Sequence, residues 1–269
     1  KIDMTMFSII KSGMNATNKD LAVISNNIAN ASTNGFKRSE AQFEDLYFSQ
    51  HNDSTTVATG MGVRNIKPRQ SFSQGSFQQT NGSLDLAIMG EGFFVIGEPL
   101  SNVTENETLK YTRDGSFQID AIGNIVNSDG LPVLGEGATP INVPVNLINE
   151  NGDTLVISAI KVRDSGDIEV TYGLDDTRTV GRFLLADFVN EHGLKNIGNS
   201  RFEETPESGE AILSFPKELT LGKLLPGSLE KSNTDITDEL VTMLRTQHAF
   251  NGCSKLLQSD IDTVKRLIG

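Results

Sequence analysis

A chain of 269 residues that is 37% apolar, lacks tryptophan and carries a formal net charge of −12 has room for one large domain or two modest ones. The charge is unevenly placed: residues 1–32 carry +1, residues 231–269 are neutral and the middle carries about −13, which argues against nucleic acid and anionic membrane as partners. Cys253 is the one cysteine, which excludes an internal disulfide framework and a multi-cysteine metal site, and no run approaches the roughly 18–20 apolar residues of a membrane helix. The stretch after Lys1 shows no h-region and no small-residue cleavage site, so the sequence predicts either a cytosolic protein or one that leaves the cell without losing a leader.

The first element is an amphipathic helix. Phe7, Ile10, Met14, Thr17, Leu21, Ile24 and Ile28 are spaced alternately three and four residues apart, the period of a narrow seam between helices. It runs into "SNNIANASTNGFKRS" (Ser25 to Ser39), dense in asparagine, a poor helix former and a good turn residue. Residues 49–60 ("SQHNDSTTVATG") are polar and turn-rich and read as a flexible loop.

Next comes a β region. Short runs at Phe93–Ile96, Gly115–Asp120, Ile122–Val126, Ile157–Val162 and Ile168–Tyr172 alternate with turn dipeptides: Asn81-Gly82, Asp114-Gly115, Gly123-Asn124, Asp129-Gly130, Asn151-Gly152 and Ser165-Gly166. Strands at this spacing, with no helical period between them, predict an antiparallel sheet or barrel. Thr205–Gly209 reads as a second loop.

At the C-terminus Ile236, Leu240, Met243, Gln247, Phe250, Ser254, Leu257, Ile261, Val264 and Ile268 repeat the three-four spacing, with Gln247 and Ser254 as polar interruptions. Asn233, Thr234 and Asp235 are cap candidates, and Asp238 and Glu239 suit the first turns. Two terminal helices of matching period and narrow stripe predict pairing with each other and with copies in other subunits. The expected fold class is therefore mainly β with α-helical termini, the helices paired as a coiled coil around a central antiparallel β domain.

Chemistry is sparse. His51, His192 and His248 lie in a polar loop, beside a glycine turn and on the second helix, and read as surface residues. "GEGFF" at Gly90 lacks the third glycine and following helix of a dinucleotide site. "SIIK" (Ser8 to Lys11) matches a Ser-x-x-Lys nucleophile pattern but lies inside the seam, where Ile10 must point inward. The acidic residues from Asp164 to Glu169 lack the spacing of a calcium loop. Cys253 has no arranged base. Asn-x-Ser/Thr triplets at Asn15, Asn30, Asn52, Asn81, Asn102 and Asn106 are mostly the chance product of composition. No catalytic residue, cofactor or metal site is expected.

Three spaced blocks carry a family resemblance. "LAVISNNIANASTNGFKRSEAQFEDLYF" (Leu21 to Phe48) resembles the N-terminal signature of the bacterial flagellar rod and hook proteins, with Asn26, Asn27, Ile28, Ala29, Asn30, Thr33, Gly35, Phe36 and Lys37 in the matching positions. "GSLDLAIMGEGFFVI" (Gly82 to Ile96) with "YTRDGSFQIDAIGNIVNSDGLPVLG" (Tyr111 to Gly135) is similar to the start of the family's β domain, and "GSLEKSNTDITDELVTMLRTQHAF" (Gly227 to Phe250) to its C-terminal entry. The resemblance implies a terminal coiled-coil domain (1–32 with 234–269) lining a hollow helical tube, a connecting segment (33–75 with 217–233) and an outer β domain (76–216). The asparagines would stop the first helix, Asn30 as its C-cap and Asn34-Gly35 supplying a left-handed residue. Phe36 would anchor the connector, with Lys37 and Arg38 solvated or paired with acidic neighbours. Phe7, Ile10, Met14, Leu21, Ile24, Ile28, Ile236, Leu240, Met243, Phe250, Leu257, Ile261 and Val264 become the expected subunit interface, poorly ordered before polymerisation.

The implied function is that of a structural subunit polymerising into a drive shaft that crosses the periplasm in the flagellar basal body. The implied partners are copies of the chain, adjacent rod and hook proteins, outer ring (bushing) and rod cap proteins, and the flagellar type III apparatus, which exports without a cleaved signal peptide. Nucleic acid and membrane insertion are not implied. Hook proteins usually carry an additional outer domain, for which the roughly 140 residues from Ser76 to Pro216 leave no room, so the resemblance is strongest to distal rod members through "GMGVR", "YTRDGSFQ" and Phe188–Thr205. "LPVLGEGATPINVP" (Leu131 to Pro144) is closer to proximal rod members, and Tyr47–Gly60 has a length between the rod and hook patterns. A hook protein with a single β domain and a secreted β-rich adhesin or fibre are the alternatives.

Overall fold

The computed structural model describes residues 2–52, 55–97, 109–148, 154–173 and 176–268. It is mainly β with one helix near each end, α1 (Ile2–Ala29) and α2 (Ile236–Ile268). The chain divides into two compact units: a helical unit of Lys1–Ala31, Arg38–Ser71 and Thr234–Gly269, and a β unit of Ser32–Lys37 and Phe72–Asn233. Residues 33–75, read from the sequence as connector, are shared between them.

In the helical unit, α2 begins where Asp235 accepts hydrogen bonds on Oδ1 from the Thr237 and Asp238 backbone amides, at 2.8 and 3.3 Å. That satisfies two of the donors a helix start leaves open, while Asp238 and Glu239 in the first turn and Lys265 and Arg266 in the last suit the helix dipole. α1 packs against α2 and against a ribbon made of β1 (Ser39–Glu40), β2 (Phe43–Asn52), β3 (Thr55–Asn65) and β4 (Arg69–Gln70). β2 and β3 pair antiparallel from Phe43↔Asn65 to Asn52↔Thr55, and β1 with β4 continues the ladder. Ser12 on α1 accepts a hydrogen bond from the Val63 amide at 3.2 Å, and a Cβ on Gly62 would run into that hydroxyl, so the glycine is what lets the ribbon approach the helix.

The ribbon corrects the loop expected over 49–60. Strand backbone covers 49–52 and 55–60; residues 53–54 lie outside the described set. A two-stranded ribbon is held by its own backbone ladder, which pairs main-chain groups whatever the side chains are, so strand backbone forms through a polar stretch that lacks the alternation identifying a strand in sequence. The β-branched Thr55, Thr56, Val57 and Thr59 favour the extended backbone instead.

The β unit contains the remaining strands: β5 (Phe77–Gln79), β6 (Leu86–Met89), β7 (Phe93–Ile96), β8 (Lys110–Thr112), β9 (Gln118–Ile119), β10 (Ile125–Val126), β11 (Asn146–Ile148), β12 (Thr154–Val162), β13 (Asp167–Tyr172), β14 (Asp176–Arg182), β15 (Leu185–Asp187), β16 (Lys195–Gly198), β17 (Arg201–Glu203), β18 (Ile212–Ser214), β19 (Lys223–Pro226) and β20 (Ser228–Glu230). A six-stranded sheet runs β16-β17-β8-β7-β15-β18 and a four-stranded one β11-β12-β13-β14, with the pairs β19-β6, β20-β5 and β9-β10 beside them. Every strand pairing is antiparallel. β7 is covered on both sides. Phe94 and Ile96 join one core with Leu86, Ile88, Phe117, Ile125, Val170 and Phe183, while Phe93 and Val95 join another with Phe72, Tyr111, Leu134, Phe188 and Phe202. This is why "FFVI" is an unbroken apolar run rather than an alternating one. Asn81, Gly123, Gly130 and Gly166 adopt positive φ at the turns expected there, and Asn151-Gly152 lies outside the described residues.

Candidate assembly surface and chain junction

The helices meet through a mixed polar and apolar stripe. On α2 the shielded residues are Glu239, Met243, Thr246, Phe250, Cys253, Leu257 and Asp260, spaced four and three residues apart. Three of them touch α1 by direct geometry. Asn27 donates through Nδ2 to Glu239 Oε1 at 3.1 Å, Thr246 donates to Asp20 Oδ2 at 2.7 Å, and Cys253 Sγ lies 3.7 Å from where a Cβ on Gly13 would stand. Burial holds the Glu239 carboxyl above its ordinary range, against the lowering effects of the Asn27 amide and the Arg38 guanidinium.

The residues expected at a subunit interface fall into two sets. Ile10 and Ile24 are buried and Met14, Leu21, Ile28, Met243, Phe250 and Leu257 half-buried within the unit. Phe7, Ile236, Leu240 and Ile261 are exposed, as are Met6, Ile9, Val241, Leu244 and Leu256; the Val264 side chain lies outside the described set. On the ribbon Phe43, Leu46, Tyr47, Met61 and Ile66 are exposed too. Most large apolar side chains left exposed among the described residues thus lie on the helical unit, although it contains less than half of the chain. Large apolar side chains left exposed and gathered on one unit make it the candidate contact face.

The asparagine-rich stretch ends α1. The Asn30 amide donates to Asn26 O at 3.1 Å and its side chain to the same oxygen at 2.9 Å, closing the last turn. Asn27 is buried, donates from Nδ2 to Ser39 O at 2.8 Å and accepts from the Ser39 amide at 2.9 Å, which pins the returning chain to the helix. Thr33 is exposed. Gly35 takes φ +63°, and a Cβ there would run into the Asp114 backbone. Phe36 is buried.

Lys37 is buried as well, and donates to Glu230 Oε1 at 2.8 Å and to Ser73 O at 3.0 Å. Arg113, stacked 5.0 Å over the Phe93 ring, donates to Gly90 O at 2.9 Å and stands 3.6 Å from Glu230 Oε2. Desolvation pushes the Lys37 ammonium down from its usual value, helped by the neighbouring Arg113 charge and opposed by Glu230. Sequence reading missed Glu230 and Arg113; the only available signal was an acidic residue in the C-terminal block opposite a lysine in the N-terminal one.

Nothing resembling a catalytic arrangement accompanies these features among the described residues. Ser8 and Lys11 are exposed on α1, as are His192 and His248, while the His51 side chain lies outside the described set. Of the Asn-x-Ser/Thr positions, Asn102 and Asn106 lie outside it too. No group of three His, Cys, Asp or Glu residues is placed to hold a metal, and no helix is long and apolar enough to cross a membrane, again among the described residues.

Three family models match the chain in order. A model described as a flagella basal body rod protein matches residues 9–37, one described as the flagellar hook protein FlgE/F/G D1 domain matches residues 87–170, and one described as the flagellar basal body rod FlgEFG protein C-terminal region matches residues 225–268. The flagellar basal-body rod protein FlgG of Buchnera aphidicola subsp. Schizaphis graminum is 36% identical over 96% of both chains. This chain belongs to the flagellar rod and hook protein family. Its likeness to rod members recurs in FlgG of Borreliella burgdorferi, 35% identical over 92% of this chain and 91% of the relative. The flagellar hook protein FlgE of Caulobacter vibrioides is 39% identical over 58% of this chain, but only 26% of the hook protein is covered. The match over residues 9–37 spans the turn from Asn26 to Lys37, and so contains both the residues that end α1 and one end of the Lys37–Glu230 pair.

Proposed function

We propose that this chain is a structural subunit of the flagellar rod, of the distal type, that polymerises with copies of itself and abuts neighbouring rod and hook proteins. The observation that carries this reading is its relatedness to FlgG rod proteins over 96% of both chains, against 26% coverage of a hook protein. The exposed apolar residues of the helical unit support it, because a subunit that ends its life in a polymer has an occupant for such a face. The four-three spacing of the shielded α2 residues supports a coiled coil of the two helices within the polymer. Phe7, Ile236, Leu240 and Ile261 would then pack against other subunits, giving an inner tube with the β unit outside it. A head-to-tail contact that does not close yields a helical tube. In that role the chain binds no substrate; it transmits torque and leaves a lumen for exported subunits. Crossing of the periplasm, export through the flagellar type III apparatus, and contact with the rod cap and outer ring complete the proposal.

The test is electron microscopy of basal bodies from cells lacking the gene. Basal bodies without a complete rod are expected. A finished rod without a hook would move the protein to the hook, and normal flagella would overturn the assembly role.

A further inference from the structure

The chain passes between the helical unit and the β unit after residues 31, 37, 71 and 233. Inside the β unit, the three stretches that make these passages are 32–37, 72–77 and 228–233, and they are bound to one another. Gly35 N donates to Glu230 O at 2.8 Å, and Lys231 Nζ donates to Asn34 Oδ1 at 3.0 Å. Lys231 N donates to Ser76 O at 2.8 Å, and Asn233 Nδ2 to Ser73 O at 3.0 Å. At the centre is the Glu230 carboxylate, fully buried, whose Oε1 receives both Lys37 Nζ from the first stretch and Gly75 N, at 2.9 Å, from the second. Arg113 on the segment after β8 closes the far side.

We propose that Glu230 is the hub of a clamp that gathers every stretch joining the β unit to the helical unit, so that load entering one stretch is shared among all three. A buried ion pair is a poor source of net stability, since apolar residues of similar volume often serve as well. What it supplies is direction: Lys37 Nζ and Gly75 N converge on the one carboxylate oxygen Oε1, with Arg113 3.6 Å from Oε2, an arrangement fixed by hydrogen-bond geometry, whereas an apolar contact slides. The load-sharing part rests on the rod reading; the clamp itself does not, and the two are tested separately.

The clamp is read on the purified full-length chain. Lys231 sits inside it, while Lys217 is exposed in the same unit and outside it. Initial trypsin cleavage after each is followed by mass spectrometry in the wild type, in Glu230→Gln, and in the double variant Lys37→Met with Glu230→Met, which keeps volume and removes both charges. Cleavage after Lys231 is expected to rise at least tenfold in the double variant and less in Glu230→Gln, with cleavage after Lys217 unchanged. Equal acceleration at both sites would show a merely global loss of stability and overturn the clamp, as would no change at Lys231. Glu230→Gln keeps the shape of the side chain and a Gly75 acceptor, and answers the question if the double variant fails to fold. In cells that build complete rods from Glu230→Gln protein, load sharing predicts normal swimming in dilute medium and failure as viscosity rises. Wild-type performance at every viscosity would overturn that part while leaving the rod assignment, decided by the deletion, intact.

Discussion

Glu239 shows how a single side chain sets the tone of the helix pair. Its carboxyl is buried against Asn27, and burial raises its pKa above the unbound 4.5, so the folded state takes up a proton more readily than the unfolded one. Such a group favours folding fully below the unfolded value and loses that contribution as pH rises through the folded value. The helical signal of the wild type should therefore melt higher near pH 5 than at pH 7 by a margin that shrinks in Glu239→Gln, measured by circular dichroism at both pH values; an equal margin in the two proteins would contradict it. Gly35 is the second decisive residue. At φ +63° alanine pays about 1–2 kcal/mol of backbone strain before its Cβ meets the Asp114 backbone. Denaturant unfolding should show Gly35→Ala destabilised by at least about 2 kcal/mol, the upper part of the ordinary range for a single substitution, because strain and steric overlap add. The sequence alone pointed to the glycine, because an asparagine-glycine pair after a helix requires a left-handed residue. It left Lys37 between solvent and an acidic partner, and only the fold, which brings residue 230 back beside residue 37, decides for burial with Glu230.

At the scale of elements, the helices were legible in existence and period but not in phase. Met243, Phe250 and Leu257 of the expected seam are shielded, and the other shielded positions of α2 are Glu239, Thr246, Cys253 and Asp260, each one residue before the seam's Leu240, Gln247, Ser254 and Ile261. Hydrophobicity cannot find a face whose alternate members are a carboxylate and a hydroxyl satisfied by Asn27 and Asp20; those pairings depend on a partner 212 and 226 residues away. The β2–β3 ribbon was illegible for another reason: its backbone ladder runs through a polar, turn-rich stretch that shows no apolar alternation. Leu240 and Leu244, one turn apart and exposed, separate assembly from folding. Glutamine has nearly the helix propensity of leucine, so Leu240→Gln with Leu244→Gln should shift unfolding of the isolated chain by less than about 0.5 kcal/mol per site while blocking incorporation into rods, seen by microscopy of basal bodies. Gly252, exposed in the interior of α2 with open space where a Cβ would stand, works the other way. Gly252→Ala should stabilise the helix by about 0.5–1 kcal/mol, read as a higher thermal midpoint of the helical signal.

For the whole molecule, the charge distribution and the exposed apolar surface oppose each other. The two terminal segments are close to neutral and carry the exposed apolar side chains of the helices, whereas the middle holds about −13. Bringing copies together buries apolar area at about 25 cal/mol per Å² but crowds like charges. Were helix ends to order only on assembly, as the family resemblance implies, that would cost a further 1–2 kcal/mol per residue, roughly, and hold back growth without a template. Salt acts on one of these terms only. The Debye length falls from about 30 Å at 0.01 M to about 8 Å at 0.15 M ionic strength, which screens repulsion between the acidic middles and leaves apolar burial nearly untouched. Self-association of the purified chain, followed by sedimentation or light scattering, should therefore begin at lower protein concentration as salt is raised over this range. A chain truncated before residue 234 should not associate at any salt, since it lacks one of the two helices whatever the screening. Association that weakens with salt would mean instead that copies meet through ion pairs of opposite sign, placing the contact on the charged β unit rather than on the apolar faces of α1 and α2.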